Sequence, residues 1–475
     1  MTFRNIRNLT WVLPTIILGC NKFVTVPPPV TEIVGATVFN TNSTAASAVS
    51  GIYLSMAGST PPPGSSIGGG QYGISALLGL SSDDFTLYPT TDPLLNQTYS
   101  NSLLSNNPAP MWADLYNCIY KANTAIEGLL TSSGVTPSMK QQLTGEAKFI
   151  RAFCNFYLIN IYGDVPLVTV TNYKINEVIY RSSQSQVYKQ IEDDLDSAMN
   201  LLSDNFLAPD GTITSERVRP NRVTVEALLA RVYLYQQKWD SAETEATSVI
   251  NNSNYSLVNN LDSAFLANNT EAIWQLEMPN NGFNAPDGFY QQGPLYYGGP
   301  NAYAPFILSN SLMSNFETGD LRKLNWTDSI QYGGTTYFFP YKYKLYYTGV
   351  PAVEYATLFR LAEQYLIRAE ARAQKSDLTG SEADLNIIRN RAGLPPTSAS
   401  TQQDLLNAIY HERRFELFTE YGHRWLDLKR NNTLDSVMNV ATPQKGGVWK
   451  SNDQLYPLPL TEIKSDPNLT QNPGY

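Results

Sequence analysis

The sequence predicts a mostly α-helical fold, in which a scaffold of tetratricopeptide-like helix pairs carries long, irregular, aromatic-rich loops and few short strands. Apolar residues recur every three or four positions in segments spread over both halves of the 475-residue chain, which is the spacing of an amphipathic helix. The region 251–354 lacks this period and is rich in aromatic residues, glycine and proline, which indicates loops with room for short strands. Tyrosine, with 30 copies, supplies most of an aromatic content of 12%.

Nine segments carry the helical pattern. They are Ala45–Met56, Trp112–Leu130, Pro137–Ile161, Gln186–Leu202, Val223–Gln236, Ser241–Ile250, Thr357–Gln374, Glu382–Arg391 and Gln403–Tyr421. In the fourth of them, Val187, Ile191 and Leu195 fall on one helix face.

The clearest pair of helices is Val223–Gln236 and Ser241–Ile250, joined by the short sequence QKWD. Ala230 and Ala242 stand where a tetratricopeptide repeat has small residues, and Trp239 stands at the aromatic position between the helices. Small residues let two helices approach closely, while the aromatic ring fills the groove between them. Looser matches to this register occur around Cys118/Ala152, around Ala369/Ala383 and in 403–430. These pairs predict a helical-repeat scaffold.

The N-terminus has the composition of an export signal. Arg4 and Arg7 precede an apolar segment, Leu9–Leu18, which is followed by a glycine and Cys20. A basic flank, an apolar segment and a small residue at the cut site describe a signal peptide, and the segment is shorter than the roughly 20 residues that span a membrane. The sequence ILGC also resembles a bacterial lipobox, in which the cysteine becomes the lipidated first residue. We expect lipidation of Cys20; an ordinary secretory signal with a chance cysteine is the alternative.

Cys118 and Cys154 are the remaining cysteines. Both lie in helical, partly apolar segments, with no second cysteine or histidine at metal-ligand spacing. Buried free thiols are the favoured state, and a disulfide is the alternative.

No motif in the chain predicts an enzyme. GSSIG, from Gly64 to Gly68, fits the G-x-S-x-G pattern, but prolines precede it and glycines close it, whereas a hydrolase serine needs a strand before it and a helix after it. HERRF begins like a zinc-protease motif, but Phe415 replaces the second histidine. A net charge of −9 without a basic cluster argues against nucleic acid as a partner. We expect no catalytic residue, no cofactor and no metal.

The densest group of charges is HERRFELFTEYGHRWLDLKR, residues 411–430, which holds both histidines of the chain. On a helix, Arg413 interrupts an apolar stripe and Glu416 lies one turn away. A buried arginine requires a carboxylate partner, because an unpaired charge in the interior costs several kcal/mol. The pattern therefore predicts a structural ion-pair lattice, with Trp425 as a packing anchor, rather than an active site.

Four blocks of sequence resemble one known family. They are GEAKFIRAFCNFYLINIYGDVPLVT (Gly145–Thr169), YLIRAEARA with ADLNIIRNRAGL (Tyr365–Leu394), ERRFELFTEYGHRWLDLKR (Glu412–Arg430) and YPLPLTEIKSDPNLTQNPGY (Tyr456–Tyr475). In these residues and their order the chain is similar to the SusD/RagB family. The resemblance implies a tetratricopeptide-containing lipoprotein of the Bacteroidetes outer membrane, held at the cell surface by its lipid. Such proteins work as the nutrient-capturing lid of a SusC-like TonB-dependent transporter.

Two loop segments have the chemistry of a sugar-binding surface. Aromatic rings offer rigid platforms for the flat C–H faces of sugars, and polar side chains bond the hydroxyls. Such groups are best placed on loops held by a rigid scaffold. The first segment, Gly70–Tyr99, supplies Tyr72, Asp83, Tyr88 and Tyr99, and the second, Phe283–Tyr303, supplies Phe289, Tyr290, Tyr296, Tyr297 and Asn301. We expect capture of a glycan or oligosaccharide, and capture of peptides by the same scaffold is the alternative. A secreted hydrolase or a pure repeat scaffold is a third, less supported class.

These observations divide the chain into five parts. They are a lipoprotein signal peptide (1–19), a tether (20–30), an N-terminal half with helical repeats (31–250), a loop-rich ligand-binding region (251–354) and a C-terminal helical region (355–475).

Overall fold

The computed structural model of the protein describes residues 38–58, 64–278, 282–345 and 351–475. The predicted signal peptide, the tether and Cys20 lie outside the described residues. Within them, helices dominate and the strands are few and short, so the predicted mostly α-helical fold is confirmed.

The secondary structure follows the order of the chain. The α-helices are α1 (Asn42–Ala57), α2 (Ile74–Ser81), α3 (Pro93–Tyr99), α4 (Met111–Thr131), α5 (Pro137–Tyr162), α6 (Tyr173–Asn176), α7 (Gln184–Leu201), α8 (Arg222–Tyr235), α9 (Trp239–Asn251), α10 (Pro286–Gln291), α11 (Gly293–Tyr296), α12 (Asn310–Met313), α13 (Leu321–Trp326), α14 (Leu361–Gln374), α15 (Leu378–Arg391), α16 (Gln402–Leu417), α17 (His423–Arg430), α18 (Leu434–Gln444) and α19 (Leu460–Ser465). The strands are β1 (Phe85–Leu87), β2 (Val165–Pro166), β3 (Arg181–Ser182), β4 (Ala272–Leu276), β5 (Phe306–Leu308), β6 (Thr327–Tyr332), β7 (Thr335–Pro340) and β8 (Ala356–Arg360).

The long helices pack side by side and form the scaffold. α4 packs against α5, α5 against α7, α8 against α9, and α9 against α14, which also contacts α15 and α16. Ala230, Ala242 and Ala246 are buried in one cluster with Ile367 and Ala371 of α14, so small side chains let the α8–α9 hairpin lie against α14. The predicted helix pairs are present, although α9 begins two residues earlier than the sequence pattern indicates.

Side-chain caps mark where several helices begin. The Asn221 carboxamide oxygen accepts a hydrogen bond from the Thr224 amide at 3.0 Å at the start of α8. The Thr401 hydroxyl accepts one from the Asp404 amide at 3.2 Å at the start of α16. Each bond satisfies an amide that has no partner inside its own helix.

The described strands form four two-stranded antiparallel ladders: β1 with β5, β2 with β3, β4 with β8, and β6 with β7. In the first ladder Thr86 stands opposite Ile307, and in the last Ile330 stands opposite Tyr337. Because β5 also contacts β7, the β1–β5 ladder and the β6–β7 hairpin lie together.

The ion pair predicted for Arg413 is present, with Asp427 as its partner. Arg413 is 1% exposed, and its Nε and NH2 atoms donate to the Asp427 carboxylate at 2.7 and 3.1 Å. This pair joins α16 to α17. Trp425, the predicted packing anchor, is fully buried and packs edge-on against Trp449.

A larger group of buried charges surrounds Trp326, and we call it the Trp326 lattice. Its cations are Arg322, Lys342, Arg360, Arg389 and Arg391, and its carboxylates are Glu271, Asp320, Glu412, Glu416 and Glu420. Arg322 lies 2.6 Å from Glu412, and Arg391 lies 2.6 Å from Glu271. The Lys342 ammonium is 4.7 Å from the Trp326 ring centroid, within cation–π distance.

The Trp326 lattice fixes both ends of the β6–β7 hairpin to the helical scaffold. Arg322 and Trp326 belong to α13, directly before β6, and Lys342 follows β7 by two residues. The Lys342 ammonium donates to the carbonyls of Glu416 and Phe418 at 2.9 and 2.8 Å, at the end of α16.

A second charged cluster fixes β1. Asp83 and Asp84 precede this strand, and Arg414 of α16 pairs with both of them, at 2.9 and 3.3 Å. Arg424 of α17 pairs with Asp83 at 2.7 Å. The same two helices therefore hold both the strand β1 and the hairpin.

Cys118 and Cys154 are buried free thiols in α4 and α5, as the sequence favoured. Within the described part of the chain, we find no helix long and apolar enough to span a membrane.

Candidate ligand-binding surface

The two loop segments predicted to bind ligand meet at the β1–β5 ladder. The Tyr88 amide donates to the Pro305 carbonyl at 2.7 Å, just beyond the last pair of that ladder. Tyr88 belongs to the first segment, and Pro305 follows the second by two residues. The fold thus brings together residues more than 200 positions apart.

Exposed and half-buried tyrosines form the most prominent feature of this region, which we call the tyrosine surface. Its members are Tyr88, Tyr296, Tyr297, Tyr303, Tyr332 and Tyr337. Tyr296 and Tyr297 pack at right angles with ring centroids 5.0 Å apart, and Tyr297 lies 6.1 Å from Tyr303. These three side chains are 72%, 42% and 73% exposed, so their rings are available to a ligand.

The loop that carries these rings is shaped by glycine and asparagine. Gly299 has a φ of 156°, and a Cβ on it would lie 2.3 Å from the Tyr332 ring, so only glycine lets the ring approach the backbone. The Asn301 carboxamide oxygen accepts a hydrogen bond from the Tyr303 amide at 2.8 Å. Asn301, a predicted ligand contact, thus has a part in holding Tyr303 in place.

Tyr332 and Tyr337, which sequence reasoning missed, come from the β6–β7 hairpin. Tyr337 pairs with Ile330 across the hairpin, and side chains two residues apart on a strand share a face, so Tyr332 and Tyr337 lie on the same face. Tyr337 contacts Tyr88 edge-on with ring centroids 5.8 Å apart. A Gly-Gly pair between alternating β-formers (IQYGGTTYF) is the sequence signal that predicts such a hairpin.

The tyrosine surface carries almost no charge. Asp287 is the only charged residue in 283–303, and Asp328 is the only charged residue in 327–340. Asp287 is buried, so the half-exposed Asp328 is the one charged side chain that these two segments offer beside their aromatic, amide and hydroxyl groups.

Tyr72 and Tyr290 belong to a separate, smaller pocket of about 240 Å³, lined also by Gly64 and Gly70. The Tyr72 hydroxyl donates to the Asp92 carboxylate. Burial and this hydrogen bond raise the pKa of Tyr72 to about 12. A Cβ on Gly70 would lie 2.9 Å from the Tyr290 ring, so backbone and ring are in close contact there.

Asp83 and Tyr99 line a third depression, of about 700 Å³. Burial by itself would raise the pKa of Asp83, but the Arg424 and Arg414 guanidinium groups hold it well below its usual range. Asp83 is 7% exposed and its carboxylate serves the ion pairs described above. The Lys445 ammonium lies 5.2 Å from the Tyr99 ring centroid. The predicted contacts therefore fall into three groups, and their assignment to a ligand remains a prediction.

Asp287 connects the loop around Gly70 to the loop that carries the tyrosine surface. Its carboxylate accepts a hydrogen bond from the Gly70 amide at 2.8 Å, in the first turn of α10. Burial raises the pKa of Asp287 to about 6, against the opposing effect of hydrogen bonds from Gly70 and Ser75.

Among the described residues, no group of three or more His, Cys, Asp or Glu side chains is arranged to hold a metal ion.

Two family models match the chain. The model described as the SusD family matches residues 290–475, and the model described as starch-binding associating with outer membrane matches residues 89–234. SusD-like protein P25 of Formosa agariphila is 26% identical over 432 residues, which cover 77% of this chain and 79% of that protein.

Solved structures share the fold. A SusD superfamily protein from Bacteroides vulgatus superposes with a TM-score of 0.79 at 20% identity, covering 92% of this chain and 100% of that one. A laminarin binding SusD-like protein superposes with a TM-score of 0.71 at 23% identity, covering 91% and 99%.

By its fold, this is a mostly α-helical protein of paired helices whose loops carry an exposed aromatic surface. Within that class, the chain belongs to the SusD/RagB family.

Replacing Asp287 by asparagine tests whether the buried carboxylate destabilises the fold when it is charged. A carboxyl whose folded pKa lies above its unfolded value takes up a proton on folding, so its contribution to stability rises as the pH falls from about 6 toward 4. Asp287→Asn can still accept from Gly70 but carries no buried charge. We expect it to increase the free energy of unfolding at pH 7 by about 1–3 kcal/mol, and by little at pH 4. Urea unfolding at several pH values measures this, with Asp328→Asn as the half-exposed control. An Asp287→Asn protein that is less stable than the wild type at pH 7 would contradict the raised pKa of Asp287.

Proposed function

We propose that the protein captures a neutral glycan on the tyrosine surface. The observation that carries this proposal is the group of three exposed rings, Tyr296, Tyr297 and Tyr303, on a nearly uncharged surface. Aromatic rings bind the apolar C–H faces of sugar rings at low entropic cost. The carboxamide of Asn301, which lies two residues from Tyr303, can bond sugar hydroxyls.

The comparisons support a carbohydrate ligand. One matching family model is described as starch-binding, one structure with the same fold is a laminarin binding protein, and another is a surface glycan-binding protein A from Bacteroides thetaiotaomicron. Starch and laminarin are uncharged glucose polymers, which agrees with the lack of charge on the tyrosine surface.

In its proposed role, the protein is a capture lipoprotein without catalytic activity. It is attached to the outer membrane through lipid on Cys20, at the cell surface, and delivers its ligand to a SusC-like TonB-dependent transporter. The association with the outer membrane in the description of one matching family supports this location.

Tyr296→Ala and Tyr297→Ala should each weaken glycan binding by about 1–3 kcal/mol, the range for a well-placed aromatic contact. Thermal stability should stay unchanged, because both side chains are exposed. Binding should depend little on salt, since a neutral sugar offers no charge to screen. Calorimetric titration with soluble oligosaccharides of starch and laminarin, at low and high salt, measures both effects.

Tyr180→Ala is the matched control, because Tyr180 is 70% exposed but lies between α6 and β3. Its affinity should equal that of the wild type. If glycans bind and both Tyr296→Ala and Tyr297→Ala match the wild type, the tyrosine surface is the wrong site. If peptides bind and glycans do not, the alternative of peptide capture replaces this proposal.

The lipid attachment has its own test. Cys20→Ser should move the protein from the membrane fraction to the soluble fraction, because the modified thiol is lost. Fractionation of cells followed by immunoblotting measures the distribution. Equal recovery of both proteins in membranes would contradict lipidation at Cys20.

A further inference from the structure

A small pocket outside the tyrosine surface lies between α16, α17 and the start of α18. We call it the arginine pocket. Its volume is about 170 Å³, and Arg413, Arg414 and Arg424 all line it.

Arg413, one of the residues that line this pocket, has an unpaired donor. Its Nε and NH2 atoms bond to Asp427, but its buried NH1 atom has no hydrogen-bond partner among the described residues. A buried guanidinium donor without a partner is costly, because it has lost its water and gained nothing in exchange.

The NH1 atoms of Arg414 and Arg424 also make no hydrogen bond within the described residues. Arg414 donates through Nε to Asp84 at 3.3 Å and through NH2 to Asp83 at 2.9 Å. Arg424 donates to Asp83 through Nε at 2.7 Å and through NH2 at 3.0 Å. Within the part of the chain that the structure describes, no hydrogen bond leaves NH1 of either residue. Three guanidinium groups thus line one pocket, each with a donor to spare.

The beginning of α18 adds positive potential. Thr433, its N-cap residue, and Val437, in its first turn, both line the pocket, and Thr433 makes no side-chain capping bond. The first amides of a helix have no partners within the helix and form the positive end of its dipole. The carboxylate of Asp435, in that first turn, accepts a hydrogen bond from the Trp449 indole at 2.8 Å.

The carboxylate that lines the pocket is already engaged. Asp427 bonds to Arg413 and also accepts from Arg430 Nε at 2.7 Å. The remaining wall includes the apolar side chains Leu417, Leu428 and Val437. This combination suits an anion that has one small apolar side, rather than phosphate, which is polar all round.

We propose that the arginine pocket binds the carboxylate of a small organic acid. The carboxylate accepts hydrogen bonds from the NH1 groups of the arginines, because the planar guanidinium matches the geometry of a carboxylate better than other cations do. The body of the acid packs against Leu417 and Val437. Two sources offer this chemistry: a free short-chain acid and an acidic sugar residue.

Calorimetric titration of the purified chain tests the proposal. The probes are acetate, butyrate, glucuronate and inorganic phosphate, at an ionic strength held constant with a sulfonate buffer too bulky for the pocket. At least one carboxylate should bind saturably with one site per chain. Asn431→Asp, which places a carboxylate on the pocket wall, should weaken this binding at least tenfold. Asn432→Asp adds the same charge one residue away on an exposed side chain and should bind like the wild type.

Arg424→Lys provides a second variant that keeps the positive charge opposite Asp83 but removes the guanidinium. It should also weaken carboxylate binding while the melting temperature stays close to that of the wild type. Binding of acetate or butyrate identifies a free acid as the ligand, and tighter binding of glucuronate identifies an acidic sugar. The proposal is overturned if no carboxylate binds saturably, if phosphate binds tightest, or if Asn431→Asp and Asn432→Asp weaken binding equally.

Discussion

The rest of the structure depends on the ion pairs of Glu416, whose buried carboxylate is shared by three arginines. It accepts hydrogen bonds from Arg322, Arg360 and Arg391. Burial alone would raise the pKa of Glu416, but these arginines hold it well below its usual range. Removing so many charges from water is costly unless every partner is in place. The Trp326 lattice is therefore satisfied only when α13, β8, α15 and α16 occupy their native positions together.

The Trp326 lattice and the tyrosine surface differ in their charge. Its five cations and five carboxylates balance one another in the interior, whereas the tyrosine surface is left nearly neutral. The hairpin that carries Tyr332 and Tyr337 starts and ends at lattice residues, so buried ion pairs support a polar surface of low charge. Asp287 holds the opposite side of that surface through the Gly70 amide. Scaffold and tyrosine surface thus use different chemistry, and the second depends on the first for its geometry.

Local patterns in the sequence predicted the long helices, because the period of an amphipathic helix shows within a few turns. Two bounds were wrong: residues 357–360, predicted as the start of a helix, belong to strand β8, and the helix predicted to reach Tyr421 ends at Leu417. The buried Arg413 was also predictable, since it interrupts an apolar stripe. Its partner was not, because the chain turns at Gly422, with a φ of 72°, and brings Asp427 back from the next helix. The Tyr88–Tyr337 contact and the Asp287–Gly70 bond join segments more than 200 residues apart, and no local period encodes such a distance. The hairpin itself had a signal in its Gly-Gly turn.

Hydrogen exchange of the hairpin amides tests most directly whether the Trp326 lattice fixes the tyrosine surface. Lys342→Met removes the ammonium that joins the end of the hairpin to the carbonyls of Glu416 and Phe418. Exchange in 327–340 should become at least tenfold faster, which corresponds to about 1.4 kcal/mol, while α8 and α9 keep their protection. Lys323→Met, at an exposed lysine of α13, should leave the hairpin unchanged. Wild-type protection of the hairpin in Lys342→Met, or an equal loss of protection throughout the chain, would contradict the account.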